Sequence, residues 1–332
     1  MDYYYNRYAD PGYFIKKDAQ RKEIKILGLF VGMALIVQIV LQYIFSFAVD
    51  IAGLTDKYLT DGVFQNGIDI IITLISFLLP FFFAGKYMKR ISKVNEPVAL
   101  GKPIDALSFI FAVVAGIGFC MFANIVTSYL TIFIGAFGLE LSSPDIPMPA
   151  GVAGVTTTVI RVAVVAAVSE EITLRGYVMG NLRKYGDKFA LLASALVFAV
   201  MHGNLVQAPF ALIAGFGLGY LSIKTGTIWT GIAIHAANNL ISVIVSYAVD
   251  FLPEETVNAL YSTVLYGFIV LGVIAFRFLR KRTADTKLRE ENVYLTMTEK
   301  TKAFFLNPAM IAALCYMLYI TMQFVGFGFS EQ

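Results

Sequence analysis

The chain is poor in charged residues, which make up 15% of its 332 residues, against roughly 25% in soluble domains. Hydrophobic residues account for 58% of the sequence, and the mean hydropathy is +0.72. This composition excludes an ordinary soluble domain. It predicts an all-α fold, a polytopic bundle of transmembrane helices.

Cysteine and histidine are also scarce. The two cysteines, Cys120 and Cys315, lie in apolar stretches, where they behave as small hydrophobic residues, so we expect no disulfide framework. The net charge of +3 is small and gives no reason to expect a nucleic-acid partner. The two histidines, His202 and His235, also lie in apolar segments, which makes them candidates for a functional site.

Long apolar runs predict about nine spans. The first run follows a basic N-terminal tail (residues 1–25) that we expect to be cytoplasmic, and it is too long for a signal-peptide core, so we interpret it as a retained transmembrane helix. The third run is long enough to be tilted or broken. The fifth is short enough to be re-entrant, which would leave eight spans. The predicted spans are 26–49, 68–85, 106–137, 155–179, 189–202, 208–223, 227–248, 257–278 and 303–327.

The loops between these runs alternate in their content of basic residues. One set is rich in Lys and Arg, whereas the other set contains Lys57 as its one basic residue. Because cytoplasmic loops carry the excess of Lys and Arg, the pattern predicts a cytoplasmic N-terminus and an external C-terminus. We divide the membrane part into a core at residues 151–250, with accessory helices at 26–150 and 251–332.

Three charged residues interrupt the apolar run at 155–179, namely Glu170, Glu171 and Arg175. Such charges cost at least ~2.5 kcal/mol each at a helix centre, so they are expected to pair or to line a wet cavity. Glu171 and Arg175 are four residues apart with the acid first, the favourable order for an ion pair. This pairing leaves Glu170 free to transfer protons.

The other unusual polar residues fall at a similar depth. Counted from the nearest basic residue at the inner face, the rise of an α-helix places Glu170, His202, His235 and Asn239 roughly 16 to 22 Å deep. His235 and Asn239 are four residues apart and share a helix face, so they can offer two donors to one point, as an oxyanion hole requires. This convergence predicts one hydrolytic site.

Taken together, three motifs resemble a known family. Glu170-Glu171-x-x-x-Arg175, Phe198-x-x-x-His202 and His235-x-x-x-Asn239 follow one another on successive predicted helices. They resemble the CPBP family of CAAX proteases and bacteriocin-processing enzymes, also called the Abi family, which includes the Ras-converting CAAX endopeptidase. The resemblance covers residues 151–250.

The resemblance implies an intramembrane endopeptidase of a bacterial cell membrane. Its partners would be membrane lipid and a peptide or lipidated protein substrate, either a CAAX-type tail or a bacteriocin precursor. Glu170 and His202 would activate a water molecule, and His235 and Asn239 would stabilise the oxyanion. The supporting residues would be Glu171, Arg175 and Phe198.

A zinc-dependent version of the same protease is an alternative, because one Glu and two His match a hydrolytic zinc ligand set. Its ligands would be Glu170, His202 and His235. The sequence contains no His-Glu-x-x-His pair, and Asn239 is a poor zinc ligand. We therefore expect no cofactor.

Two further classes remain open. A non-enzymatic membrane immunity or partner-binding protein would keep the same fold. The intact set of polar residues argues against the loss of a catalytic site. A transporter would also bury acids and bases, but it would show two related halves, which the sequence lacks. Outside the motifs, Arg161 is interpreted as an anchor at the membrane surface.

Overall fold

A computed structural model of the chain describes residues 12–95, 98–283, 287–290 and 294–327, so residues 1–11 of the predicted tail lie outside the described residues. Most described residues are helical, and one two-stranded antiparallel sheet is present among them. In chain order the elements are α1 (Tyr13–Ile51), α2 (Thr55–Thr60), α3 (Gly62–Ser92), α4 (Ala106–Gly135), β1 (Leu139–Leu141), α5 (Gly151–Tyr185), α6 (Asp187–Met201), α7 (Ala208–Thr225), α8 (Trp229–Ala248), α9 (Glu254–Arg282), α10 (Met297–Phe305), α11 (Pro308–Gln323) and β2 (Val325–Phe327).

Several helices begin or end at residues suited to that position. The Asp105 side chain accepts a hydrogen bond from the Ser108 amide at 2.8 Å at the start of α4, which satisfies one of the unpaired amides there. Thr296 and Glu299 form a capping box at the start of α10. Helix α7 ends at Gly226, whose φ of +77° is accessible to glycine without strain.

The predicted polytopic helical bundle is confirmed. Seven helices are long and apolar enough to cross a membrane, and α10 with α11 forms one further pair, bent by 79°. Helix α6 has 15 residues, or about 22 Å, short of a hydrocarbon core of about 30 Å. The span predicted at 106–137 forms one unbroken helix, α4. The count of nine spans and the cytoplasmic N-terminus remain predictions.

Helix α5 lies at the centre of the largest buried cluster. Its residues Leu174, Val178 and Leu182 are buried there together with side chains from α1, α3, α6 and α10. Contact with so many neighbours fixes the rotation of α5 about its axis. Helix α5 therefore presents a defined face to each partner.

Two π-helical segments widen α5. They cover Val159–Val165 and Ile172–Met179, and ordinary α-helix at Ala166–Glu171 separates them. In a π-helix the backbone hydrogen bond joins residues five apart, so side chains five apart share a face, and such segments are frequent at functional sites. The two segments therefore change which residues of α5 face which neighbour.

The predicted topology is tested by labelling with an impermeant maleimide in a Cys120→Ala/Cys315→Ala background. Lys57→Cys should react in intact cells, and Lys93→Cys only after permeabilisation, because the basic loops are predicted to be cytoplasmic. With nine spans, Gln332→Cys should also react in intact cells. Its protection would indicate an even number of spans, and the reverse pattern at Lys57 and Lys93 would show that the orientation is wrong.

Candidate active site

The predicted ion pair between Glu171 and Arg175 forms on α5. The Arg175 Nη1 atom lies 2.7 Å from the Glu171 Oε1 atom, and both side chains are fully buried. Arg175 also donates through Nη2 to the carbonyl oxygen of Gly215 at 3.2 Å. The ion pair thus connects α5 to α7.

Two glycines make room for this pair. A Cβ atom on Gly231 of α8 would lie 2.6 Å from Glu171 Oε2, closer than real Cβ atoms approach. A Cβ atom on Gly215 would lie 3.2 Å from the ring of Phe198. Small residues at helix contacts allow this close approach in membrane bundles, and here they allow buried charges to sit between three helices.

The ring of Phe198 lies at the middle of the cluster. The Arg175 guanidinium carbon is 4.7 Å from the ring centroid, which is within cation–π distance. The ring also makes edge contacts with His202 and His235, at centroid distances of 4.9 and 5.8 Å. Phe198 was predicted to be a supporting residue, and the structure places its ring in contact with both histidines and with the arginine.

His235 lies between the two carboxylates. Its Nδ1 atom is 3.1 Å from Glu171 Oε1, and its Nε2 atom is 3.7 Å from Glu170 Oε2. The ion-paired carboxylate of Glu171 can only accept a hydrogen bond, so Nδ1 carries the proton. Glu171 therefore fixes the tautomer and orientation of His235, a contact that the sequence did not indicate.

His202 is the C-cap residue of α6. Its Nδ1 atom lies 2.8 Å from the carbonyl oxygen of Phe198, and a carbonyl oxygen only accepts, so Nδ1 donates. In the neutral ring the Nε2 atom then carries the lone pair. This is the tautomer that a general base requires at Nε2.

Asn239 lies one turn beyond His235 on α8. Its amide nitrogen donates to the carbonyl oxygen of Val162 on α5 at 2.9 Å. An amide nitrogen has two N–H groups, so this bond orients Asn239 and leaves its second N–H for a ligand.

One cavity collects the four residues predicted to be catalytic. It has a volume of about 830 Å³, and Glu170, His202, His235 and Asn239 all line it, whereas Glu171 and Arg175 do not. The size is that of a ligand pocket. Polar residues make up much of the remaining wall: Thr73, Asn124, Thr127, Ser128, Thr131, Arg161, Gln207, Asn238 and Ser242.

Glu170 is the carboxylate of this cavity, and one of its oxygens lacks a partner. Oε2 is buried and has no hydrogen bond within the described part of the chain. A buried carboxylate oxygen without a partner is costly, and such groups are retained where they act on a ligand. Glu170 is therefore a candidate for a functional role in this cavity.

The alternative zinc ligands do not form a compact donor group. Among the described residues, no three His, Cys, Asp or Glu side chains converge with the spacing of a metal site. Both histidines use Nδ1 in hydrogen bonds, to Glu171 and to Phe198, which leaves Nε2 of each ring for either proton transfer or metal coordination. The zinc-dependent alternative therefore needs a direct test with a chelator.

Arg161 differs from its interpretation as a surface anchor. Its Nη2 atom is 2.8 Å from Asp69 Oδ2 on α3, and the residue lines the cavity with Glu170. No sequence pattern indicates this contact, because a charge near the end of an apolar run is usually an anchor. The partner, Asp69, lies inside a separate apolar run.

A family comparison covers the segment that contains every motif. Residues 153–241 match the family model described as "Type II CAAX prenyl endopeptidase Rce1-like". This range lies inside the predicted core at 151–250. Comparison with curated proteins and with solved structures gives no match.

Gly231→Ala should disturb the site, because the new methyl group would meet Glu171 Oε2. We expect a loss of about 1–3 kcal/mol in the free energy of unfolding, measured by unfolding of the detergent-purified protein. The matched control is Gly267→Ala on α9, where a Cβ meets nothing within 4 Å. The control substitution should leave the free energy of unfolding unchanged or raise it slightly. Equal effects of both substitutions would contradict the packing argument.

Proposed function

We propose that this chain, which belongs to the CAAX protease family through its Rce1-like segment, hydrolyses a peptide bond of a lipidated or membrane-associated substrate. The family consists of hydrolases. The reaction would take place in the cavity lined by Glu170, His202, His235 and Asn239. The observation that supports this most directly is that these four residues, from three helices, line one cavity.

We assign activation of water to Glu170 and His202. The unpartnered Glu170 Oε2 accepts a proton from water, and the Nε2 lone pair of His202 offers a second acceptor at the same cavity. The water oxygen attacks the substrate carbonyl carbon, and the proton is then passed to the leaving amine. Two acceptors allow one group to hold the proton while the other orients the nucleophile.

We assign stabilisation of the oxyanion to His235 and Asn239. The second N–H of Asn239 is one donor. Since Nδ1 of His235 is bonded to Glu171, Nε2 donates only when the ring is doubly protonated. Donors held in place before the reaction stabilise developing charge effectively.

Glu171, Arg175 and Phe198 would act by positioning. Glu171 holds the imidazole of His235, Arg175 holds Glu171, and the ring of Phe198 packs against Arg175 and both histidines. Glu171 and Arg175 do not line the cavity, and they would act on it through their contact with His235. Substituting these residues is expected to displace His235 rather than to remove a group that reacts with the substrate.

Substitution of Glu170 tests the mechanism. Wild-type protein and Glu170→Gln, purified in detergent, are assayed on quenched fluorescent peptides with and without a prenylated cysteine. Loss of a general base typically lowers the rate by about 10²–10⁴-fold, so cleavage by the variant should fall within that range. The control is Glu255→Gln, an exposed acid at the start of α9, which should retain activity.

The same assay separates the alternatives. A chelator should leave the wild-type rate unchanged. Inactivation that zinc reverses would establish the zinc-dependent protease in place of the glutamate mechanism. Failure of the wild-type protein to cleave any peptide would contradict the enzymatic proposal and favour a partner-binding protein.

A further inference from the structure

The described lining of the cavity contains one fixed positive charge in addition to its one carboxylate. Among the described residues that line it, Arg161 is the one Arg or Lys, and Glu170 is the one Asp or Glu. Both belong to α5, and they are nine residues apart. A peptide that reacts at Glu170 therefore has a cation at a fixed distance along the same helix.

The π-helical segment of α5 brings Arg161 into this cavity. In a regular α-helix each residue turns by about 100°, so residues nine apart point to nearly opposite sides. In the π-helical segment Val159–Val165, residues five apart share a face. Arg161 thus aligns with Ala166, and Ala166 aligns with Glu170 one α-helical turn later. All three line the cavity.

Arg161 is held in place but is not saturated. Its Nη1 atom donates to Asn66 Oδ1 at 2.9 Å, and Nη2 lies 2.8 Å from Asp69 Oδ2. These bonds use two of the five N–H groups of the guanidinium. Tyr58 donates to the other oxygen of Asp69 at 2.7 Å. Burial and the Asp69 carboxylate raise the pKa of Tyr58 to about 12, so this donor stays protonated.

The spacing matches a short leaving peptide. Nine residues of helix span about 13 Å, and three residues of extended peptide span about 10 Å. The difference of about 3 Å is comparable to the length of one hydrogen bond. A CAAX tail has three residues after its cysteine and ends in a free carboxylate. When its scissile bond is at Glu170, the terminal carboxylate reaches the level of Arg161.

We propose that Arg161 binds the free C-terminal carboxylate of the substrate and so selects tails that end three residues after the scissile bond. The proposal rests on the proposed peptidase function and deepens it. Asp69, Asn66 and Tyr58 orient the guanidinium. The chemistry recognised is a carboxylate at the end of an extended peptide.

The test compares three quenched peptides that share one farnesylated cysteine. The first ends in Cys-Val-Ile-Ala with a free acid, the second has the same sequence as an amide, and the third has one extra alanine. A hydrogen bond to a charged group predicts that wild type prefers the acid over the amide by roughly 10- to 100-fold in kcat/KM. The extended peptide should be cleaved more slowly than the first.

Variants separate recognition from structural support. Arg161→Gln alone would leave Asp69 unpaired, so the neutral pair Arg161→Gln/Asp69→Asn is used. Its acid-to-amide ratio should fall to less than about threefold, whereas Asp69→Asn alone should raise the ratio, because it frees the charge of Arg161. A purely structural ion pair would make both variants slow both substrates equally. The matched control is Arg183→Gln/Asp187→Asn, a second Arg–Asp pair at the other end of α5.

A binding measurement keeps this proposal distinct from the peptidase proposal. The tripeptide Val-Ile-Ala and its amide are titrated against wild type and Arg161→Gln/Asp69→Asn. Binding of the acid at least tenfold more tightly than the amide, lost in the variant, would support the carboxylate site even if no peptide is cleaved. Equal binding of acid and amide, or equal cleavage of both by wild type, would overturn it.

Discussion

The buried ion pair between Glu171 and Arg175 is the interaction on which the site depends. Removing one partner of such a pair typically costs about 3–5 kcal/mol, because the other charge is left uncompensated. The charges are tolerated because each has further partners, the Gly215 carbonyl for Arg175 and His235 for Glu171. The absence of a side chain on Gly231 provides the space. The orientation of His235 therefore follows from a charge that never touches the cavity.

Much of this arrangement could be predicted from the sequence. The i,i+4 order of Glu171 and Arg175 predicts their pairing, since both charges lie within an apolar run. Counting residues from the basic loops predicts that His202 and Asn239 lie at the depth of Glu170. The ion pair forms and these residues line one cavity with Glu170, because the constant rise of a helix relates position along its axis to position in the chain.

The remaining features of the site depend on how each helix is rotated about its axis and on contacts between helices. Whether Arg161 faces the cavity depends on the π-helical register of Val159–Val165, and no local sequence pattern fixes where a helix widens. The contact between His235 and Glu171 joins residues 64 positions apart. The bend between α10 and α11 likewise interrupts a run that composition alone predicts as one span.

The proposed function requires the cavity to accept a peptide rather than a lipid chain. Each residue of an extended peptide carries a backbone donor and an acceptor, and in a membrane each unpaired group costs several kcal/mol. Asn238 Oδ1 and Thr127 Oγ1 line the cavity and have no hydrogen-bond partner among the described residues. A peptide backbone can donate to both atoms, whereas an acyl chain would leave them unpaired. Under the proposed function, hydrogen bonding to the peptide backbone would favour a peptide over an acyl chain, and the proposed roles of Glu170 and Arg161 would act on a backbone held in this way.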